Sequence, residues 1–183
     1  MIFFAKYIGL INIIFFITAS LILVKISSIK DLKDYTLSHL ATDKKIGNIF
    51  NVILFIFALS QTFFGIEVSR SLDPNLSRMI IPIFVLGGVA LCFGAVFSKN
   101  NYPKVHDLTV VLSTISGTVG VVLLSLNLLS ENFTLGLVVF GATLLIPLSI
   151  IIKRKVKGIY WELVVFLGII VWNVVFSILL IYQ

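Results

Sequence analysis

The chain has 183 residues, of which 59% are hydrophobic and 12% charged, with a net charge of +6 and a mean hydropathy of +1.14. A soluble domain carries roughly 25% charged residues, and a chain this short has too little interior to hide so much apolar surface from water. Composition therefore excludes a soluble globular domain, and the confinement of charge to short clusters between apolar runs excludes a basic nucleic-acid-binding domain.

Six apolar runs follow in chain order, at roughly 3–24, 46–69, 79–98, 108–129, 134–152 and 159–182. Each is close to the ~20 residues a helix needs to cross ~30 Å of hydrocarbon. Helices are required, because lipid offers backbone groups no outside partner and the runs lack the alternation of a barrel strand. The expected fold is all-α, a polytopic transmembrane bundle of six helices in a single domain, 1–183. The first run has no small-residue cleavage site and reads as a retained helix. The second follows the longest connection, 25–45, where Thr42 or Asp43 is placed to cap it. Asp73-Pro74-Asn75, Lys99-Asn100-Asn101 and Lys157-Gly158 read as stop signals between later runs. Pro82 and Pro147 are candidates to bend the third and fifth helices, and Glu67 and Arg70, three apart, to pair. Gly88 and Cys92, Ala90 and Gly94, and Ser113 and Gly117 are each four apart, a spacing that allows close helix packing. Cys92 is the one cysteine, so no intrachain disulfide forms.

Lysine and arginine set orientation. The connections after the first, third and fifth runs hold five, two and four, eleven together; Lys6, Arg70 and Arg78 make three on the other side. The positive-inside rule then places the eleven in the cytoplasm and both termini outside a cell membrane, with membrane lipids as partners.

Polar side chains inside spans are costly and mark candidate sites. Asn48 and Asn51 share a face of the second helix with Phe55, Ala58, Thr62 and Gly65. His106, Thr109, Ser113, Gly117, Gly120 and Asn127 form a stripe on the fourth, and Glu162, Asn173 and Ser177 on the sixth. Asn48, Asn51, His106, Asp107 and Glu162 all fall within the first two turns on the expected cytoplasmic side, near His39 and Asp43 of the connection. The expectation is a polar pocket at the cytoplasmic ends of helices two, four and six, with Asn48, Asn51, His106 and Glu162 as ligand-binding residues. The function it fits is binding of a lipid or small lipid-like ligand. The alternatives are an enzyme acting on lipid head groups, with His106, Asp107 and Glu162 as catalytic candidates, and a small transporter or channel whose polar path runs through Asn127 and Asn173. No phosphate loop, nucleophile elbow or dinucleotide fingerprint occurs, no spacing supports a metal site, and no cofactor is implied.

Four local patterns, taken in order, carry a resemblance: Ser38-His39-Leu40, Phe50-Asn51, Phe97 through Pro103 to His106-Asp107-Leu108, and Gly158-Ile159-Tyr160-Trp161-Glu162 with Trp172 ten residues on. Together they resemble domain of unknown function 998, a family of six-span membrane proteins of the Frag1/DRAM/Sfk1 type, over nearly the whole chain. The resemblance implies a six-helix fold and marks Asn51, His106 and Glu162, without implying an activity. The chain departs from the pattern at Leu163, where a basic residue is common, and at His39, where an acidic one is. An ion pair built from those positions is not available here.

Overall fold

The computed structural model describes residues 2–27, 36–72, 74–97, 99, 101–153 and 160–182. Among these it contains six α-helices and no strand: α1 (Ile2–Ile26), α2 (Gly47–Arg70), α3 (Pro74–Val96), α4 (Pro103–Glu131), α5 (Phe133–Lys153) and α6 (Tyr160–Tyr182). A short 3-10 helix, Leu37–Thr42, lies between α1 and α2. The charges of 28–35 and 154–159, with Asp73 and Asn100 of the stop signals and Gly158-Ile159 of the last motif, lie outside the described residues.

Two helices start earlier than their apolar runs. α3 begins at Pro74 rather than 79, and α4 at Pro103 rather than 108. A helix needs apolar side chains only where it crosses hydrocarbon, and proline at the first position already has the required φ and gives up no intrahelical bond. Neither Thr42 nor Asp43 caps α2, whose N-cap is Ile46 with no side-chain bond; Asp43 Oδ1 instead braces the preceding turn, accepting from the N–H groups of Lys45 (2.8 Å) and Ile46 (3.3 Å). Arg70 and Glu67 form the ion pair their spacing suggested, at the other end of α2. Pro82 and Pro147 lie inside α3 and α5.

The helices form a ring. Each packs on its chain neighbours, and α6 closes the circle against α1. Short connections make this arrangement: α4 and α5 are separated by Asn132 alone, which forces an antiparallel hairpin. Glycines set the closest approaches. A Cβ at Gly88 would lie 1.6 Å from Thr62 Oγ1 of α2, and one at Gly65 would lie 2.6 Å from the Phe84 ring of α3. Only hydrogen at those positions lets α2 and α3 meet as they do.

The core divides along the membrane normal. The half containing the α2–α3 and α4–α5 connections is filled by Phe64, Val68, Ile80, Phe84, Leu124, Val139, Trp172 and Phe176, all buried. Trp172 stacks on Phe84 (centroids 5.9 Å apart) and lies 5.1 Å from the Phe64 ring. A second cluster, Ile13, Phe16, Leu23, Leu40, Ala41, Ile46, Phe50 and Phe57, joins α1 and α2 to the 3-10 segment.

The outer perimeter is apolar. Ile11, Leu21, Val52, Leu86, Val111, Leu137, Leu144 and Leu167 are among many large hydrophobic side chains left exposed. In water such a surface would aggregate. Helices α2, α3, α4, α6 and the 7–26 stretch of α1 are long and apolar enough to cross a membrane, and α5 contributes a shorter apolar stretch, Phe133–Ser149. The chain is a multi-pass membrane protein.

Candidate functional site

The structure distributes the residues expected to form one polar pocket over three places at the same end of the ring. Asn48 and Asn51 come together. Both line a polar cavity of about 230 Å³ with Asp43, Lys44, Lys45 and Asn101. Asn48 is exposed, whereas the Asn51 Oδ1 atom is buried and has no hydrogen-bond partner among the described residues.

His106 is elsewhere. It is 3% exposed, and its Nδ1 lies 2.9 Å from the Gly94 carbonyl oxygen and 3.3 Å from that of Phe97. A carbonyl can only accept, so Nδ1 carries the proton. The imidazole thus ties the start of α4 to the last turn of α3, satisfying carbonyls a helix end leaves open. Asp107, its neighbour, is exposed.

Glu162 holds a third position. Its Oε2 accepts from the Leu37 N–H at 2.5 Å, fixing the first turn of the 3-10 segment to the start of α6. Two of the four quoted motifs meet here, since Leu37 directly precedes Ser38-His39-Leu40. The contact runs from carboxylate to backbone. His39 braces the segment from within: its Nδ1 accepts from the Thr36 N–H at 3.1 Å and lies 2.8 Å from Thr36 Oγ1. Burial and the nearby Lys99 charge push the His39 imidazole pKa below its usual value. His106 and Glu162 are therefore each bonded to backbone, in separate connections.

A second space lies between the helices. A cleft of about 260 Å³ is bordered by all six helices, and its wall is mostly apolar. Phe84 and Trp172 close it toward the packed half. Its border includes exposed Thr114 of α4. Gly117 lines it, and a Cβ there would meet no heavy atom within 4 Å. Its spacing from Ser113 suggested close packing; instead it faces open space.

The wall carries hydroxyls and one amide, and no ionisable side chain. Thr62, Thr114, Thr118 and Thr143 each donate their hydroxyl proton to the carbonyl four residues earlier, at 2.7–2.8 Å. These hydroxyls consequently offer only lone pairs. Gln61, near the middle of α2, pairs with Asn173, fully buried in α6. Gln61 Nε2 donates to Asn173 Oδ1 (3.1 Å), and Asn173 Nδ2 donates to Gln61 Oε1 (3.3 Å) and to the Ile169 carbonyl (2.8 Å). Asn173 belonged to a stripe visible in the sequence. Gln61 did not, because it falls beside the Asn51–Thr62 face rather than on it. Its signal was simply an amide at mid-span. Asn127 does not join this interior; it bonds Glu131 at the exposed end of α4.

A ring of apolar helices with exposed hydrophobic flanks, clasped at one end by buried polar contacts, defines a helical integral membrane protein with an internal cleft. The sequence model of the family described as protein of unknown function DUF998 matches residues 9–179. The chain belongs to that family. Neither the curated proteins nor the solved structures contain a match.

Proposed function

We propose that this protein is a six-helix transmembrane bundle that binds a hydrophobic small molecule or lipid chain in its central cleft. The observation that carries the reading is the cleft itself: about 260 Å³ with a wall of apolar groups, amide and hydroxyl and no charge. An apolar cavity of about 150 Å³ already takes up benzene, so a space this size in contact with lipid is a binding volume for apolar matter. The asymmetry of lysine and arginine places the clasped end in the cytoplasm and both termini outside. In this reading His106 and Glu162 hold the connections at the clasped end of the ring. Asn48 and Asn51 keep a ligand-facing role in their own polar cavity, supported by the unpaired Asn51 Oδ1. The apolar layer of Phe64, Phe84, Trp172 and Phe176 favours binding over passage to the far face.

The test is the lipid complement of the purified protein. Wild-type protein is expected to retain an apolar molecule through detergent extraction, detected by mass spectrometry. Gly117→Phe, which fills the cleft, is expected to lose it without a drop in thermal stability. An identical complement in both proteins overturns the proposal.

A further inference from the structure

The hydrogen-bond inventory of the cleft selects among apolar ligands. The contact with Ile169 settles the orientation of both amides. Because that carbonyl only accepts, Asn173 must present Nδ2 to it, which leaves Asn173 Oδ1 to face Gln61. Gln61 must then turn Nε2 toward Oδ1 and Oε1 toward Nδ2. Both N–H groups of Asn173 are spent on these bonds. An amide has two N–H donors and two oxygen lone pairs. Gln61 has used one of each on Asn173, so one N–H and one lone pair remain, on a side chain that lines the cleft. Among the described residues neither has a partner.

In water such a group would be solvated; inside a membrane protein an unmet donor costs about 1–3 kcal/mol. The four threonine oxygens on the wall keep lone pairs, but each is held in a bond to its own helix and none accepts the Gln61 N–H among the described residues. A cleft without ionisable side chains also offers no counter-charge, so a charged head group would carry its full desolvation cost.

We infer that the cleft ligand is a neutral amphiphile with an alcohol head, anchored by Gln61. Its hydroxyl oxygen accepts the free Gln61 Nε2–H and its proton goes to Gln61 Oε1 or to a threonine oxygen. A pure hydrocarbon leaves the N–H unmet, and a carboxylate brings an uncompensated charge. The inference rests on the cleft-binding reading above and adds the chemical class of the ligand and the residue that recognises it.

Bromine quenching of Trp172 fluorescence tests it, in a Trp161→Phe background that leaves Trp172 as the single tryptophan. The probes are 12-bromododecanol, 1-bromododecane and 12-bromododecanoate, added to protein in phosphatidylcholine bilayers and compared at equal mole fraction in the lipid. The alcohol is expected to quench at about tenfold lower mole fraction than the other two, the discrimination of one additional satisfied hydrogen bond. Gln61→Leu is expected to erase the preference for the alcohol while quenching by bromododecane persists. Because Gln61→Leu strands Asn173, the double variant Gln61→Leu/Asn173→Leu removes both partners and is expected to behave the same way. Gly117→Phe is expected to reduce quenching by all three. If Gly117→Phe blocks quenching but the alcohol preference survives in both Gln61 variants, or if wild type shows no preference, the inference fails and the cleft reading stands. If Gly117→Phe leaves quenching unchanged, both fail.

Discussion

Two regions of the ring, the aromatic cluster around Trp172 and the cleft wall on α4, are both apolar and are packed in opposite ways. Near the α2–α3 and α4–α5 connections, aromatic rings from α2, α3 and α6 interlock around Trp172 and form one wall of the cleft. Beside that cluster, near the middle of α4, Ser113, Thr114, Gly117 and Thr118 stand where bulk would be needed to close the ring, and a cleft remains. Small residues between α2 and α3 bring backbones together, because a partner side chain fills the notch: Thr62 sits against Gly88, and Phe84 against Gly65. At Gly117 no partner does. A small residue thus makes contact or cavity depending only on what lies opposite.

Substitutions can break this contrast. The largest effect is expected from Trp172→Ala, which removes the ring on which the aromatic cluster is stacked and should cost about 3–5 kcal/mol; equilibrium unfolding in mixed micelles reads it. Gly88→Ala should cost about 1–3 kcal/mol, since the new methyl overlaps Thr62. Thr62→Ala should recover most of that loss, and absence of recovery would mean the helices do not meet there. Glu162→Gln keeps an acceptor for the Leu37 N–H but removes its charge, so about 1 kcal/mol is expected. It should appear as faster hydrogen exchange at Leu37 with no change in the Trp172 environment. At the cleft wall Gly117→Ala should stabilise by about 0.5–1 kcal/mol, the helix preference of alanine over glycine with no clash to offset it.

The smallest effect is one of pH. The His39 pKa is lowered in the fold, so the unfolded segment binds more protons than the folded one between the two values. The contribution of His39 is present above the ordinary histidine pKa near 6.5 and is lost as pH falls below it. Exchange at the 3-10 segment should therefore quicken on acidification, and His39→Gln should flatten that dependence.

Much of the architecture was legible without coordinates. The lengths of the apolar runs, the short connections and the scarcity of charge determine a multi-pass helical chain, because lipid leaves a backbone no cheaper way to satisfy its polar groups. The Glu67–Arg70 pair follows from local spacing, which a helix preserves. The site was less legible. Periodicity places Asn51, His106 and Glu162 at one end of the molecule, but it gives only direction around each helix and not what stands across from it. Only the tertiary structure decides that His106 meets the carbonyls of Gly94 and Phe97, that Glu162 meets Leu37 across 125 positions of sequence, and that Gln61 finds Asn173. Those pairings depend on how closely the helices approach and at what height. That is set by the fit of side chains from different helices, which no one segment contains.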